Sequence, residues 1–290
     1  MSPEDKSEIE KYLCANYSGV FTKESTQRHI EDYVGFGFAK QVIDWVGNSA
    51  SNVRKVLDIG SGFGSFVLLC RERGIDAVGV EIAEFEVDYA RRRLRARRPA
   101  DDASYVYRCG NALHLSFPDA HFDVVTLWNV LEHIRDEKEL LQEASRVLRP
   151  NGDLYIISPN YAAFRKEAHY LIPWIPMLPK ALGRIYLRVQ RKSPHFFEDH
   201  IFYTTNWGIL WTTRNLGFRI YRKSVESARG KLSQPDMIVN NQTRRAVLKM
   251  KQFRLTWILR TLVYFRGWPG YLKLLNPVKN SVVLHLRKAG

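Results

Sequence analysis

A doubly wound α/β fold around a mostly parallel sheet follows from three observations. Between Lys55 and Ser158, short apolar runs of strand length alternate with helical stretches, the signature of repeated β–α–β units. A glycine-spaced turn, Gly60-Ser-Gly-Phe-Gly64, stands between the first apolar run and the helix that follows it. Pro118 and Pro150-Asn-Gly152 fall where connections belong.

Each element can be justified in order. Residues 1–50 are polar and intermittently apolar, and read as a helical lead into the core. Lys55–Ile59 is the first strand and Ser65–Arg73 the first core helix; Ile75–Val80 is a strand, Ala83–Arg97 a helix and Ser104–Arg108 a strand. Phe122–Leu127 is a strand, Glu137–Leu148 an amphipathic helix and Asp153–Ser158 a strand. Residues 51–158 therefore form the core. Residues 159–203 are too long for a helix–strand loop and read as an insertion or lid over the carboxyl edge of the sheet. In the remainder, 204–290, Thr205–Asn215 reads as a helix, Phe218–Val225 as a strand, Arg244–Phe265 as a helix within a basic extension, and Ser281–Arg287 as the final strand. That returning strand makes the chain one elaborated domain.

The chain has 290 residues, 45% of them hydrophobic and 26% charged, which excludes collagen-like, low-complexity and globally disordered classes. The acidic first thirteen residues carry no apolar run of a secretory signal. Cys14, Cys70 and Cys109 are odd in number and widely spaced, as expected of reduced cysteines in a cytoplasmic protein. The net charge of +14 is unevenly placed. After Asp236 eleven Lys or Arg occur without an acid, and Pro159–Phe197 holds seven against the single acid Glu167. These two segments are candidate surfaces for phosphate, nucleic acid or anionic lipid, or else solvated faces.

Val56-Leu-Asp-Ile-Gly-Ser-Gly-Phe-Gly-Ser-Phe66 carries the chemistry. Alternating glycines after a strand let backbone approach a ligand, with the N–H groups of the following helix facing it. Glu81 closes the next strand, where an acid can accept from both ribose hydroxyls. A dinucleotide fingerprint would require glycine at position 65, which is Ser65 here. The spacing is instead GxGxG preceded by Asp58, a poor neighbour for pyrophosphate and a good one for an amino-acid ammonium. An adenosyl ligand with an amino-acid tail fits best.

At this point residues 54–158 resemble the class I S-adenosylmethionine-dependent methyltransferases, in particular the broad group that includes the quinone-biosynthesis O-methyltransferases. The resemblance rests on Val56–Gly64, Val78-Gly-Val-Glu81, Cys109-Gly-Asn-Ala-Leu113, Phe122-Asp-Val-Val-Thr-Leu-Trp-Asn-Val-Leu-Glu-His133 and Leu148-Arg-Pro-Asn-Gly152, in that order. It implies a Rossmann-like sheet of seven strands with an antiparallel last strand. It also implies S-adenosyl-L-methionine as cofactor: Gly60, Gly62 and Gly64 along its methionyl and ribose part, Asp58 toward the ammonium, Glu81 on the ribose, Ile82 against the adenine, Asn111 and Ala112 at the adenine amino group, and Trp128 and Asn129 facing it from the turn after the fourth strand.

An oxygen or nitrogen acceptor needs a base near neutral pH, and His133 is the first candidate. The family turn that resembles a divalent-metal site reads Glu-x-x-Glu-His; here Asn129 replaces the first carboxylate, so no metal is assigned. His169, His195, His200 and Tyr203 are further candidates in or beside the insertion, where Glu198, Asp199 and His200 could instead cap the next helix. Tyr170–Pro179 is apolar with proline at every third position, which excludes a regular helix. It could be a lid over a hydrophobic acceptor, a patch at an anionic membrane surface, or a segment packed on the core. The expected partner is a small or lipid-linked acceptor. RNA or protein methylation, or a non-catalytic adenosyl-binding scaffold, remain the alternatives.

Overall fold

The computed structural model describes residues 2–17, 19–49, 55–163, 165–167, 169–221 and 281–290. The expected Arg244–Phe265 helix and most of the basic extension lie outside these residues, as does the end of the Phe218–Val225 strand.

Strand β1 (Lys55–Ile59) pairs in parallel with β2 (Asp76–Glu81) on one side and β4 (Phe122–Trp128) on the other. β3 (Tyr107–Cys109) flanks β2, and β5 (Leu148–Pro159) flanks β4. The seven-stranded sheet is completed by β9 (Ser281–Lys288), antiparallel between β5 and β8 (Phe218–Ile220), giving the order β3-β2-β1-β4-β5-β9-β8. The chain direction reverses its march between β1 and β4, which opens a crevice at the strands' carboxyl ends.

Successive residues of the inner strands point to opposite faces, and both faces are covered. Leu57, Ile59, Val125 and Leu127 pack with Leu140, Leu141 and Ala144 of α7 (Glu137–Val147) and Ile209 of α10 (Asn206–Asn215). Val56 and Val124 pack with Val42 and Ile43 of α3 (Gly37–Ser49), Phe66 and Val67 of α4 (Ser65–Glu72) and Leu94 of α5 (Glu84–Arg97).

Three sequence expectations need correction. Ala103–Val106 winds into one helical turn, α6, because the Asp102 carboxylate accepts from the N–H groups of Ser104 and Tyr105 at 2.9 and 3.3 Å; the strand starts only at Tyr107. Pro150-Asn-Gly152 does not separate helix from strand but is a bulge inside β5, between the pairs Phe122–Leu148 and Val124–Asp153, with Asn151 at φ +62°. Glu198, Asp199 and His200 do not cap α10; they belong to their own short helix α9 (His195–His200), and Thr205 Oγ1 caps α10 by accepting from Gly208 N–H at 3.0 Å.

The helical lead comprises α1 (Pro3–Asn16), α2 (Lys23–His29), a π-helical turn Ile30–Val34 and α3. Ile9, Leu13, Ile30 and Val34 pack on Phe63 of the glycine turn and Tyr89 of α5. The insertion forms a two-residue ladder, β6 (Arg165–Lys166) with β7 (Pro173–Trp174), followed by α8 (Lys180–Val189) and α9. Its core is Tyr161, Tyr170, Trp174, Leu187, Phe197 and Ile201, joined by Val20 of the lead. The apolar run Tyr170–Pro179 therefore divides: Tyr170 and Trp174 are buried, whereas Ile175 and Met177 stay about half exposed at 50% and 51%.

Candidate functional site

β1 ends in the glycine turn, and the turn is held to the neighbouring strand by the N–H groups of Gly60 and Ser61 donating to Val80 O at 2.8 and 3.1 Å. Gly64 sits at φ +77° as the residue preceding α4. A Cβ there would lie 2.6 Å from the Tyr107 ring, whose hydroxyl donates to Gly64 O at 2.7 Å, so only glycine fits. A Cβ on Gly60 would run into the Val130 side chain, which brings the turn after β4 against the turn after β1.

Glu81, at the end of β2, reaches over to the glycine turn. Its carboxylate accepts from Gly62 N–H at 3.1 Å, Ile82 N–H at 2.7 Å and Ala83 N–H at 3.1 Å, so the acid and the loop form one unit. Ile82 beside it is 70% exposed, an apolar side chain standing at the crevice mouth. Asn111 folds into a turn in which its Oδ1 accepts from Leu113 N–H at 3.0 Å, and Ala112 packs partly on the core. Asn129 adopts the left-handed conformation, φ +55°, and its Nδ2–H donates to Tyr33 Oη at 3.1 Å. Trp128 has its indole in the core between Phe38, Trp45 and Phe66, with a buried Nε1 that has no hydrogen-bond partner among the described residues.

Asp58 is 1% exposed and its Oδ1 accepts from the Thr126 hydroxyl at 2.6 Å. Burial pushes its carboxyl up to about 8, with the nearby Glu81 adding to the rise. No basic side chain pairs with it among the described residues. Glu86, which the sequence reading passed over, stands in the same place: its Oε2 would be 3.3 Å from a Cβ on Gly62, and its Oε1 accepts from the Tyr12 hydroxyl at 3.1 Å. Burial first, and then Glu81, raise Glu86 to about 8.

On the other side of the crevice, aromatic and imidazole rings run in series from the lead to the insertion. His29 lies 4.8 Å from Tyr33 and 5.4 Å from Phe21; Phe21 stacks on Tyr17 at 4.5 Å, and Tyr17 meets Phe196 at 5.1 Å. Phe196 in turn lies 6.1 Å from His133 and 5.2 Å from His169, and these two imidazoles are 5.2 Å apart. His133 Nδ1 sits 2.7 Å from His200 O; because a carbonyl can only accept, Nδ1 carries the proton and Nε2 keeps its lone pair. Burial, with His169 nearby, lowers the imidazolium of His133 to about 4, so it is neutral near pH 7. His29 is lowered to about 4 for the same two reasons.

His169 is backed by Glu167, a fully buried acid held by Tyr161 Oη–H at 3.0 Å and by the N–H groups of His169 and Tyr170, each at 2.7 Å. Burial opposes ionisation here, but His169 and these donors outweigh it and hold Glu167 down at about 2. His169 Nδ1, 3.2 Å from Glu167 Oε1, is therefore the donor of that pair. Of the other candidates, His200 contributes its carbonyl, His195 pairs with Asp199 on the surface, and the Tyr203 hydroxyl is taken up by Leu178 O at 2.6 Å. Glu132 is buried, its Oε2 accepting from the buried Ser158 hydroxyl at 3.0 Å.

A glycine turn tied to an acid on the next strand lies at the switch point of this sheet order, and comparison with known proteins gives the class. Residues 57–156 match the family model described as a methyltransferase domain. Over 176 residues the chain is 30% identical to a ubiquinone/menaquinone biosynthesis C-methyltransferase of Roseobacter denitrificans, covering 57% of this chain and 69% of that protein. The chain belongs to the class I S-adenosylmethionine-dependent methyltransferases. It is also 32% identical over 119 residues to 27-O-demethylrifamycin SV methyltransferase of Amycolatopsis mediterranei, covering 39% of this chain and 43% of that one. The chain spans about half the length of the first curated relatives it matches. Among solved structures, the fold is similar to phosphoethanolamine N-methyltransferase 2 of Haemonchus contortus, with a TM-score of 0.55 at 15% identity, covering 97% of this chain and 60% of that one.

Proposed function

We propose that this methyltransferase uses S-adenosyl-L-methionine to methylate oxygen or nitrogen of a small or lipid-linked acceptor that is hydrophobic or anionic. The observation that carries the proposal is the Glu81 carboxylate joined to Gly62 N–H on one side of the crevice, an acid with the family's ribose-binding place already oriented by backbone. The chain's residues fit that cofactor. Asp58 is a buried acid without a basic partner among the described residues, and an amino-acid ammonium would supply the missing counter-charge. Gly60, Gly62 and Gly64 would admit the methionyl and ribose part, Glu81 would accept from the ribose hydroxyls, and Ile82, Asn111 and Ala112 would frame the adenine. Asn129 and, through its backbone, Trp128 would close the crevice from the side of β4.

The bound cofactor supplies an activated methyl group; the protein's part is to align the acceptor and exclude water. Tyr17, Phe21, Tyr33 and Phe196 suit an apolar or ring-bearing acceptor. His133 is the base of the proposal: neutral at working pH, with Nδ1–H tied to His200 O, it can take an acceptor proton on Nε2. The names of the relatives, one for a demethylrifamycin and one for ubiquinone and menaquinone biosynthesis, support a small-molecule acceptor. The second name also keeps a carbon acceptor in view.

The test is label transfer from methyl-tritiated S-adenosylmethionine into a cell extract fractionated into lipid, small-molecule, nucleic-acid and protein pools. Label in the lipid or small-molecule pool is the expected result. Nuclease- or protease-sensitive label would make it an RNA or protein methyltransferase, and cofactor binding without label in any pool would favour a non-catalytic binder.

A further inference from the structure

Helix α8 carries two apolar stripes, and among the described residues only one has a partner. At 100° per residue, Gly183 and Leu187 fall on one side, where they pack on Phe197 and Trp174. Ala181, Leu182, Ile185 and Val189 fall on the opposite side, and Leu182, Ile185 and Val189 are 52%, 57% and 73% exposed. Just before the helix, Ile175 and Met177 are exposed as well. A helix with a solvated outer face would carry polar residues there.

The charges beside this stripe say what it meets. Lys180, Arg184 and Arg188 share one flank of α8, and Arg191 and Lys192 follow its end. The Lys180 ammonium is turned inward onto the carbonyls of Phe197 and Ile201, and Arg184 pairs with Glu198 at 3.1 Å. Arg188, Arg191 and Lys192 have no ion pair among the described residues. Of the insertion's other two acids, Glu167 is buried on His169 and Asp199 pairs with His195. A second copy of the chain packed antiparallel about a two-fold axis through the stripe would bring these cationic flanks side by side. A nucleic-acid strand would have no use for exposed Leu, Ile and Val, since bases stack on aromatic rings.

We propose that the outer face of α8, with Ile175 and Met177, docks on an anionic lipid bilayer surface. Aliphatic side chains enter the headgroup boundary while Arg184, Arg188, Arg191 and Lys192 meet lipid phosphates. The inner stripe of the same helix packs in the cluster to which Phe196, a wall of the acceptor-side rings, is joined. Docking therefore sets that wall next to the membrane. This surface stands independently of methyl transfer, because the residues that carry it are absent from the crevice.

The experiment is co-sedimentation of the full chain with vesicles of phosphatidylcholine alone or with one-third phosphatidylglycerol, at low and at physiological salt. Binding to the anionic vesicles that weakens with salt is expected. Leu182→Ser/Ile185→Ser/Val189→Ser should reduce partitioning by about a hundredfold, and Arg188→Gln by about fivefold. Calorimetric affinity for S-adenosylhomocysteine, unchanged in both variants, shows that the fold is retained and separates this result from the methyltransferase reading. Equal recovery with neutral and anionic vesicles, or full binding by the triple variant, would overturn the proposal. So would a dimer of the wild type, with no vesicle binding, that the triple variant dissolves.

Discussion

The two halves of the crevice are made of different material. On the β1–β2–β3 side, the turn at Gly60–Gly64, the Glu81 carboxylate and the Asn111 turn are held by backbone groups close in sequence or paired along a strand register. On the β4–β5 side, His29, His133, His169 and Phe196 come from four separate elements and meet only through tertiary packing. The first side is a local motif that many acceptors can share. The second is an arrangement in which each ring's position depends on the lead and the insertion together. A common cofactor calls for the former and a particular acceptor for the latter.

The contrast can be broken at its strongest point. Replacing His133 with Ala should lower turnover by about 10²–10⁴-fold while calorimetry finds S-adenosylhomocysteine binding within twofold of wild type; unaltered turnover would remove His133 as base. The converse variant, Glu81→Ala, should weaken S-adenosylhomocysteine binding by about a hundredfold through loss of charge-assisted hydrogen bonds. Undiminished affinity would show that the ribose is held elsewhere.

Gly64→Ala probes the backbone half by stability. The left-handed φ and the Tyr107 ring at 2.6 Å should together cost about 2 kcal/mol or more, seen as a lowered Tm. A wild-type Tm would mean that the turn relaxes freely.

The last effect is on the side-chain half and depends on pH. His29 is lowered from 6.5 to about 4 by burial and by His169. Below about 6.5 the unfolded chain binds a proton that the folded chain refuses, so stability falls as pH drops from about 6.5 to about 4. Relative to wild type, His29→Gln should flatten that decline by up to about 3 kcal/mol. Parallel Tm–pH curves would show that His29 is not buried as described.

Legibility in the sequence follows the same division. The succession of strands along the chain, the glycine turn and the place of Glu81 at a strand end are readable because alternation and turn residues are local properties. Misread elements were those where one side chain overrode the pattern, as at Asp102, or where a bulge absorbed a turn, as at Asn151. On the β4–β5 side, His133 and His169 were visible as residue types, but nothing local ties His29 or Tyr33 to them. Glu167 did leave a signal: it is the single acid in the basic stretch Pro159–Phe197, and it is the group that fixes the donor on His169. Glu86 left none, because an acid in the first turn of a helix is the ordinary choice there.

Strand β9 has a consequence for the order of events during synthesis. Asp153 pairs with Arg287 and Pro159 with Ser281, so β5 is translated long before the segment that closes its edge. Until the ribosome has released residues 281–288, a nascent chain with a finished glycine turn still shows an open row of backbone donors and acceptors beside Leu154 and Ile156. Such an edge recruits foreign strands and the chaperones that shield them. A premature stop just upstream of Ser281 would then yield not a small working enzyme but a sheet seeking its missing neighbour in other molecules.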